Sequence, residues 1–85
     1  MPMVVTVVSR KGCRLCDEVI SALDSLSSRY DLKVKTVDID RDKELHDKYW
    51  LTIPVVQIKG KDVFDARRIS AGLDYKTALE RLLAS

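Results

Sequence analysis

Apolar residues follow two rhythms along this chain, an alternating or nearly unbroken one and a helical one, and the order in which these take turns predicts the fold. From Met3 to Ser9 the run is rich in valine and threonine and almost continuously apolar, the pattern of a strand covered on both faces. Arg10-Lys11-Gly12 breaks it, and Gly12 allows a tight backbone turn. From Leu15 to about Arg29, Cys16, Val19, Ile20, Leu23 and Leu26 recur at helical spacing, with Asp17 and Glu18 in the early turns where negative charge suits the helix dipole. Leu32 to Ile39 alternates apolar with polar and reads as a second strand. Such a strand, helix and strand form a right-handed crossover.

Asp40 is placed to cap a short helix over Arg41 to Trp50, with Leu45 and Tyr49 on one side. Thr52-Ile53-Pro54 opens the strand Val55 to Ile58, where a proline is tolerated at the first position. Lys59-Gly60-Lys61-Asp62 turns the chain back into Val63-Phe64, completing a hairpin. Asp65 to Gly72 is polar and irregular, and Tyr75, Ala78, Leu79, Leu82 and Leu83 trace a last amphipathic helix capped by Asp74. The predicted order is β-α-β-α-β-β-α. Tyr30, Tyr49 and Trp50 are expected to pack against the core or shield helix ends.

Composition narrows the class without changing that order. Eighty-five residues, 46% hydrophobic and 33% charged, suit one folded domain over residues 1–85. A net charge of +2, with basic and acidic residues interspersed, leaves no footprint for nucleic acid or a membrane surface. The apolar start lacks a basic leader and meets Arg10 and Lys11 at once, and no run is long enough to span a bilayer. Two cysteines four residues apart end to end would staple nothing in a secreted domain, so a cytoplasmic setting is expected.

The candidate chemistry lies in Cys13-Arg14-Leu15-Cys16, which holds the chain's only two thiols. Positions three apart share a helix face. At the helix N-terminus, free N–H groups and the positive dipole end favour a thiolate at Cys13, an environment that lowers a cysteine pKa from about 8.5 to roughly 3.5–7.5. Asp17 and Glu18 oppose that effect. Cys13 then attacks a disulfide, and Cys16, deeper in the helix, resolves the mixed disulfide and leaves an internal Cys13–Cys16 bond. A zinc reading supplies only half a tetrahedral set, so it needs a partner molecule or a second copy; an iron–sulfur cluster bridging two chains is a related alternative. The single His46, among charged neighbours, reads as solvated surface.

A Cys-x-x-Cys after the first strand and a proline opening the third make the chain resemble the thioredoxin superfamily, and its shortness makes it resemble a glutaredoxin. The resemblance covers essentially the whole chain. It implies an α/β fold of thioredoxin-like, glutaredoxin type, a four-stranded mixed sheet with helices on both faces. It also implies Cys13 as nucleophile and Cys16 as resolving thiol. Thr52-Ile53-Pro54 matches the family's Thr-Val-Pro, whose proline is cis and whose preceding residue, Ile53 here, pairs its N–H and C=O with an extended substrate.

Departures from the family pattern are specific. Arg14 and Leu15 replace the Pro-Tyr of glutaredoxins and the Gly-Pro of thioredoxins; Arg14 would favour the thiolate and draw anionic substrates. Arg10 stands where many glutaredoxins carry a lysine, and with Lys11 is a candidate contact for a substrate carboxylate. The Gly-Gly-acidic motif that holds one end of glutathione is absent after Phe64, where Arg67 and Arg68 are surface charge or a substitute carboxylate site.

The expected activity is reduction of protein disulfides or glutathione mixed disulfides by a monomer without a tightly bound cofactor. Glutathione or a thioredoxin-reductase-like flavoprotein would supply electrons. The alternatives are a binding module of the same fold without turnover and the shared metal or iron–sulfur site.

Overall fold

A computed structural model describes residues 3–65 and 75–84. Its elements are β1 (Met3–Ser9), α1 (Arg14–Tyr30), β2 (Leu32–Asp38), a 3-10 turn (Ile39–Arg41), α2 (Lys43–Tyr49), β3 (Val55–Ile58), β4 (Lys61–Phe64) and α3 (Tyr75–Ala84). The strands form one sheet in the order β2-β1-β3-β4. β1 runs parallel to β2 and antiparallel to β3, and β3 pairs antiparallel with β4. This is the mixed four-stranded α/β architecture that the alternation and the resemblance predicted.

Side chains alternate across β1 and feed two separate cores. Val5 and Val7 face α1 and α3, where they pack with Val19, Leu23, Leu26, Leu79 and Leu83. Val8 faces the other way, against Ile39, Tyr49 and Val55 under α2. A strand buried on both sides must be apolar throughout its middle, which is why Met3–Ser9 shows no clean alternation. At the far end of α1, Asp31 takes a left-handed conformation (φ 50°) and donates its N–H to the Ser27 carbonyl. Arg29 and the Tyr30 hydroxyl then reach Glu80 of α3, at 2.7 and 3.3 Å, tying the two helices together.

Three boundaries differ from the predicted ones, each for a local reason. β2 stops at Asp38 because Ile39 turns into the second core, where it is fully buried. The cap of α2 is Asp42, not Asp40: its Oδ1 accepts from the N–H groups of Glu44 and Leu45, while Asp40 is drawn to Arg10. The hairpin turn is two residues, Lys59 and Gly60, shorter than predicted, and both have positive φ (55° and 77°), the sense that matches strand twist. β4 therefore begins at Lys61. The predicted Asp74 cap and the stretch from residue 66 to 72 lie outside the described residues.

Across β3 and β4 the register slips by one residue: Val56 faces Phe64, but Gln57 faces Asp62. Such a bulge reverses which side a strand presents. Phe64 thereby joins the core under α1 and α3, while Asp62 reaches Tyr49 on the α2 side.

Leu23 is nearly inaccessible, whereas Leu15 on the same helix is 41% exposed. Leu23→Ala should cost about 2–5 kcal/mol of stability, and Leu15→Ala should stay within about 0.5 kcal/mol. Urea denaturation followed by circular dichroism separates the two.

Candidate functional site

The loop after β1 delivers Cys13 to the start of α1. Gly12 takes a left-handed φ of 81° that a residue with a side chain would adopt only under strain, and the Cys13 N–H closes the turn on the Arg10 carbonyl at 3.2 Å. Cys13 is then the N-cap. Its sulfur accepts from the N–H of Cys16 at 3.1 Å, filling the role that a serine or aspartate oxygen more often plays, and its carbonyl accepts from the N–H of Asp17 at 3.1 Å.

Cys13 and Cys16 are joined as a disulfide, with Cα atoms 5.2 Å apart. The two sulfurs have unequal access. Cys13 is partly exposed at the helix tip, and Cys16 is 0% exposed beneath it.

The basic residues named from sequence surround this pair differently. Arg10 Nε lies 3.0 Å from Asp40 Oδ2, which ties the β1–α1 loop to the 3-10 turn. Lys11 is exposed, and Arg14 is 93% exposed with its Nε 3.9 Å from Glu18, a contact of little energetic weight. His46 Nδ1 stands 3.5 Å from Asp47, and among the described residues no three His, Cys, Asp or Glu side chains gather as metal ligands do. Arg67 and Arg68 lie outside the described residues.

Thr52, Ile53 and Pro54 are held from α2. The Tyr49 carbonyl accepts three hydrogen bonds, from the N–H of Thr52 (2.9 Å), the N–H of Ile53 (3.1 Å) and the Thr52 hydroxyl (3.3 Å). The Ile53–Pro54 peptide is cis. Of the two backbone groups that the resemblance assigned to substrate pairing, the Ile53 N–H is thus already engaged within the chain.

The Tyr49 side chain continues the brace. Its hydroxyl lies 3.1 and 3.2 Å from the carboxylate oxygens of Asp62 and accepts from Gln57 Nε2 at 3.2 Å, while the same Gln57 nitrogen donates to Asp62 at 2.9 Å. Sequence reasoning placed Tyr49 in the core but missed this network, because its partners meet only after the hairpin and its bulge have formed. Trp50, expected to fill the core or shield a helix end, stands at the C-cap of α2 and outside the core: it is 52% exposed, and Leu51 beside it is 72% exposed. The helix ends at Tyr49, so Trp50 leaves on the turn rather than on the buried face.

Comparison with known proteins fits this geometry. The sequence model of the Glutaredoxin-like domain (DUF836) matches residues 4–83. None of the curated proteins matches the chain. Among solved structures, a malarial protein superposes with a TM-score of 0.64 at 20% identity, over 99% of this chain and 96% of that one. The germline-specific thioredoxin Deadhead of Drosophila melanogaster superposes with a TM-score of 0.61 at 24% identity, over 98% and 79%. Thioredoxin 1 of Thermosipho africanus gives 0.59 at 14% identity, over 96% of each chain. At these identities the likeness is one of fold.

The unequal burial of the two sulfurs sets an order of reactivity. After reduction, iodoacetamide should modify Cys13 at least about tenfold faster than Cys16, read by mass spectrometry of the tryptic peptides over time.

Proposed function

The chain belongs to the glutaredoxin-like domain family, and from that membership and the Cys13–Cys16 pairing at a helix N-terminus we propose that it is a thiol–disulfide oxidoreductase. The observation that carries the reading is a partly exposed sulfur bonded to a fully buried one at the tip of α1. One sulfur meets substrate; the other closes the cycle.

In the reduced protein the Cys13 thiolate attacks one sulfur of a substrate disulfide. That S–S bond breaks, a mixed disulfide with Cys13 forms, and the first substrate thiolate leaves and takes a proton. Cys16 then gives up its proton and attacks the Cys13 sulfur, expelling the second substrate thiolate. Two electrons pass to the substrate, which ends as two thiols, and the protein ends as the Cys13–Cys16 disulfide. The Cys16 N–H that donates to the Cys13 sulfur would serve a thiolate there better than a thiol, because a donor favours the charged form.

Protein disulfides and glutathione mixed disulfides are the proposed substrates, with glutathione or a flavoprotein reductase as electron source. The two thiols carry the electrons, so the reaction needs no bound cofactor. Lys11 and Arg14, both exposed beside Cys13, suit an acidic or carboxylate-bearing substrate. The Ile53 carbonyl offers an acceptor to its backbone. A monomer in the reducing cytoplasm fits a dithiol that must be regenerated by other thiols.

Cys13→Ser should lower turnover of hydroxyethyl disulfide to the uncatalysed rate. Cys16→Ser should instead accumulate a mixed disulfide, visible as one substrate half added to the intact mass. Wild-type turnover by Cys13→Ser would remove the enzymatic reading.

A further inference from the structure

The end of the sheet that bears the cysteines carries a second segment. β3 runs antiparallel to β1 with Val55 opposite Val8, so the residues just before Val55 leave the sheet at the same end as Ser9 and the loop that delivers Cys13. Thr52 is buried there and Ile53 half-buried. Their N–H groups both end on the Tyr49 carbonyl, at 2.9 and 3.1 Å, whereas among the described residues no backbone donor outside the strands takes the Ile53 carbonyl. That carbonyl recognises an extended chain only while its direction is fixed.

What fixes it reaches across the sheet. α2 is seven residues long, too short to be stable alone, so the placement of its last residue, Tyr49, depends on tertiary ties. The Tyr49 ring supplies them: its hydroxyl lies 3.1 and 3.2 Å from the Asp62 carboxylate oxygens, Gln57 Nε2 donates to both groups, and Lys48 Nζ stands 5.1 Å from the ring centroid. Hydroxyl and carbonyl belong to one residue, so holding the ring holds the carbonyl. For β4 itself Asp62 is a poor choice, since aspartate is depleted in strands, and it reaches Tyr49 only because the register slips between Val56 and Gln57. A hydrogen bond to a carboxylate is roughly twice as strong as a neutral one.

We infer that Asp62 is a positioning residue for polypeptide substrates: through the Tyr49 hydroxyl it sets how Thr52 and Ile53 present their backbone beside the cysteine pair. A disulfide within a polypeptide, which lays its backbone along Ile53, depends on that hold. A small disulfide that meets Cys13 alone does not. That any substrate arrives there rests on the oxidoreductase reading; the hold of Asp62 on residues 52 and 53 rests on the hydrogen bonds.

Two measurements on the full chain test this, with Asp62→Val, which favours the strand, and Tyr49→Phe. In the disulfide form, amide hydrogen exchange of Thr52 and Ile53, taken relative to Leu23 in α1, should speed up about tenfold in either variant and no further in the double variant, because both remove the same bond. In single-turnover oxidation of the reduced protein, read by acid quench and mass spectrometry, Asp62→Val should raise the half-saturating concentration of insulin about fivefold at an unchanged limiting rate, the loss of one hydrogen bond. The rate with hydroxyethyl disulfide should move less than about twofold. Exchange at Thr52 and Ile53 that follows Leu23, additive effects of the two substitutions, or equal changes with both disulfides would overturn the assignment while leaving the oxidoreductase reading in place. A wild-type protein that neither disulfide oxidises would remove that reading, and the exchange ratio then decides the role of Asp62 alone.

Discussion

Everything at the redox end of this molecule depends on β1 being packed on both faces. With Val5 and Val7 committed to one core and Val8 to the other, the strand can neither shift nor rotate, since a slip of one residue would exchange its two sides. The chain leaves it at Ser9 in a fixed direction. Gly12 makes the turn, and Cys13 arrives where the unpaired N–H groups of α1 begin. The sulfur is therefore positioned by the burial of residues five and more positions earlier, and its own contacts only complete what β1 imposes.

A second support comes from α2, and Tyr49 is its hub. The carbonyl of this one residue takes up Thr52 and Ile53, and its hydroxyl reaches Asp62 and Gln57 across the hairpin. A buried hydroxyl must find partners, and a helix end must dispose of its last carbonyls; Tyr49 meets both demands at once. The segment before Pro54 is thus tied to the second core rather than left as a free loop. A substrate backbone approaching Ile53 would find a carbonyl to donate to, and would have to displace Tyr49 to accept from the N–H.

Most of the fold was legible in the chain because its elements have strong periods. Cys16, Val19, Leu23 and Leu26 mark a buried helical stripe, and all four are buried. The hairpin and the order of elements along the chain also follow from pattern. What escaped was decided by competition between neighbours. Asp38, Asp40 and Asp42 are all suitable caps, yet Asp38 caps the 3-10 turn, Asp42 caps α2 and Asp40 pairs with Arg10. Asp62 was read as a turn residue because the bulge that turns it toward Tyr49 has no mark in a single sequence. The thiol pair was the plainest part of the site. The occupation of the Ile53 N–H was the least, since backbone hydrogen bonds in a loop depend on geometry and not on side-chain identity.

The distribution of polarity along β1 and β2 bears on why the chemistry sits where it does. Both strands are apolar toward α1 over their first halves and polar at Ser9, Thr36 and Asp38. A helix packed over a sheet would gain stability from valine at those positions, at roughly 25 cal/mol for each Å² of apolar surface removed from water. The chain forgoes that gain at the one end of the sheet where α1 begins and Cys13 stands. Part of the polar set has a structural use, since Asp38 accepts from the Asp40 N–H and starts the turn toward α2. Ser9 borders the open cleft between α1 and this end of the sheet. Stability is therefore concentrated where α1 and α3 meet the middle of the sheet, and the end bearing the Cys13–Cys16 pair is left polar and open.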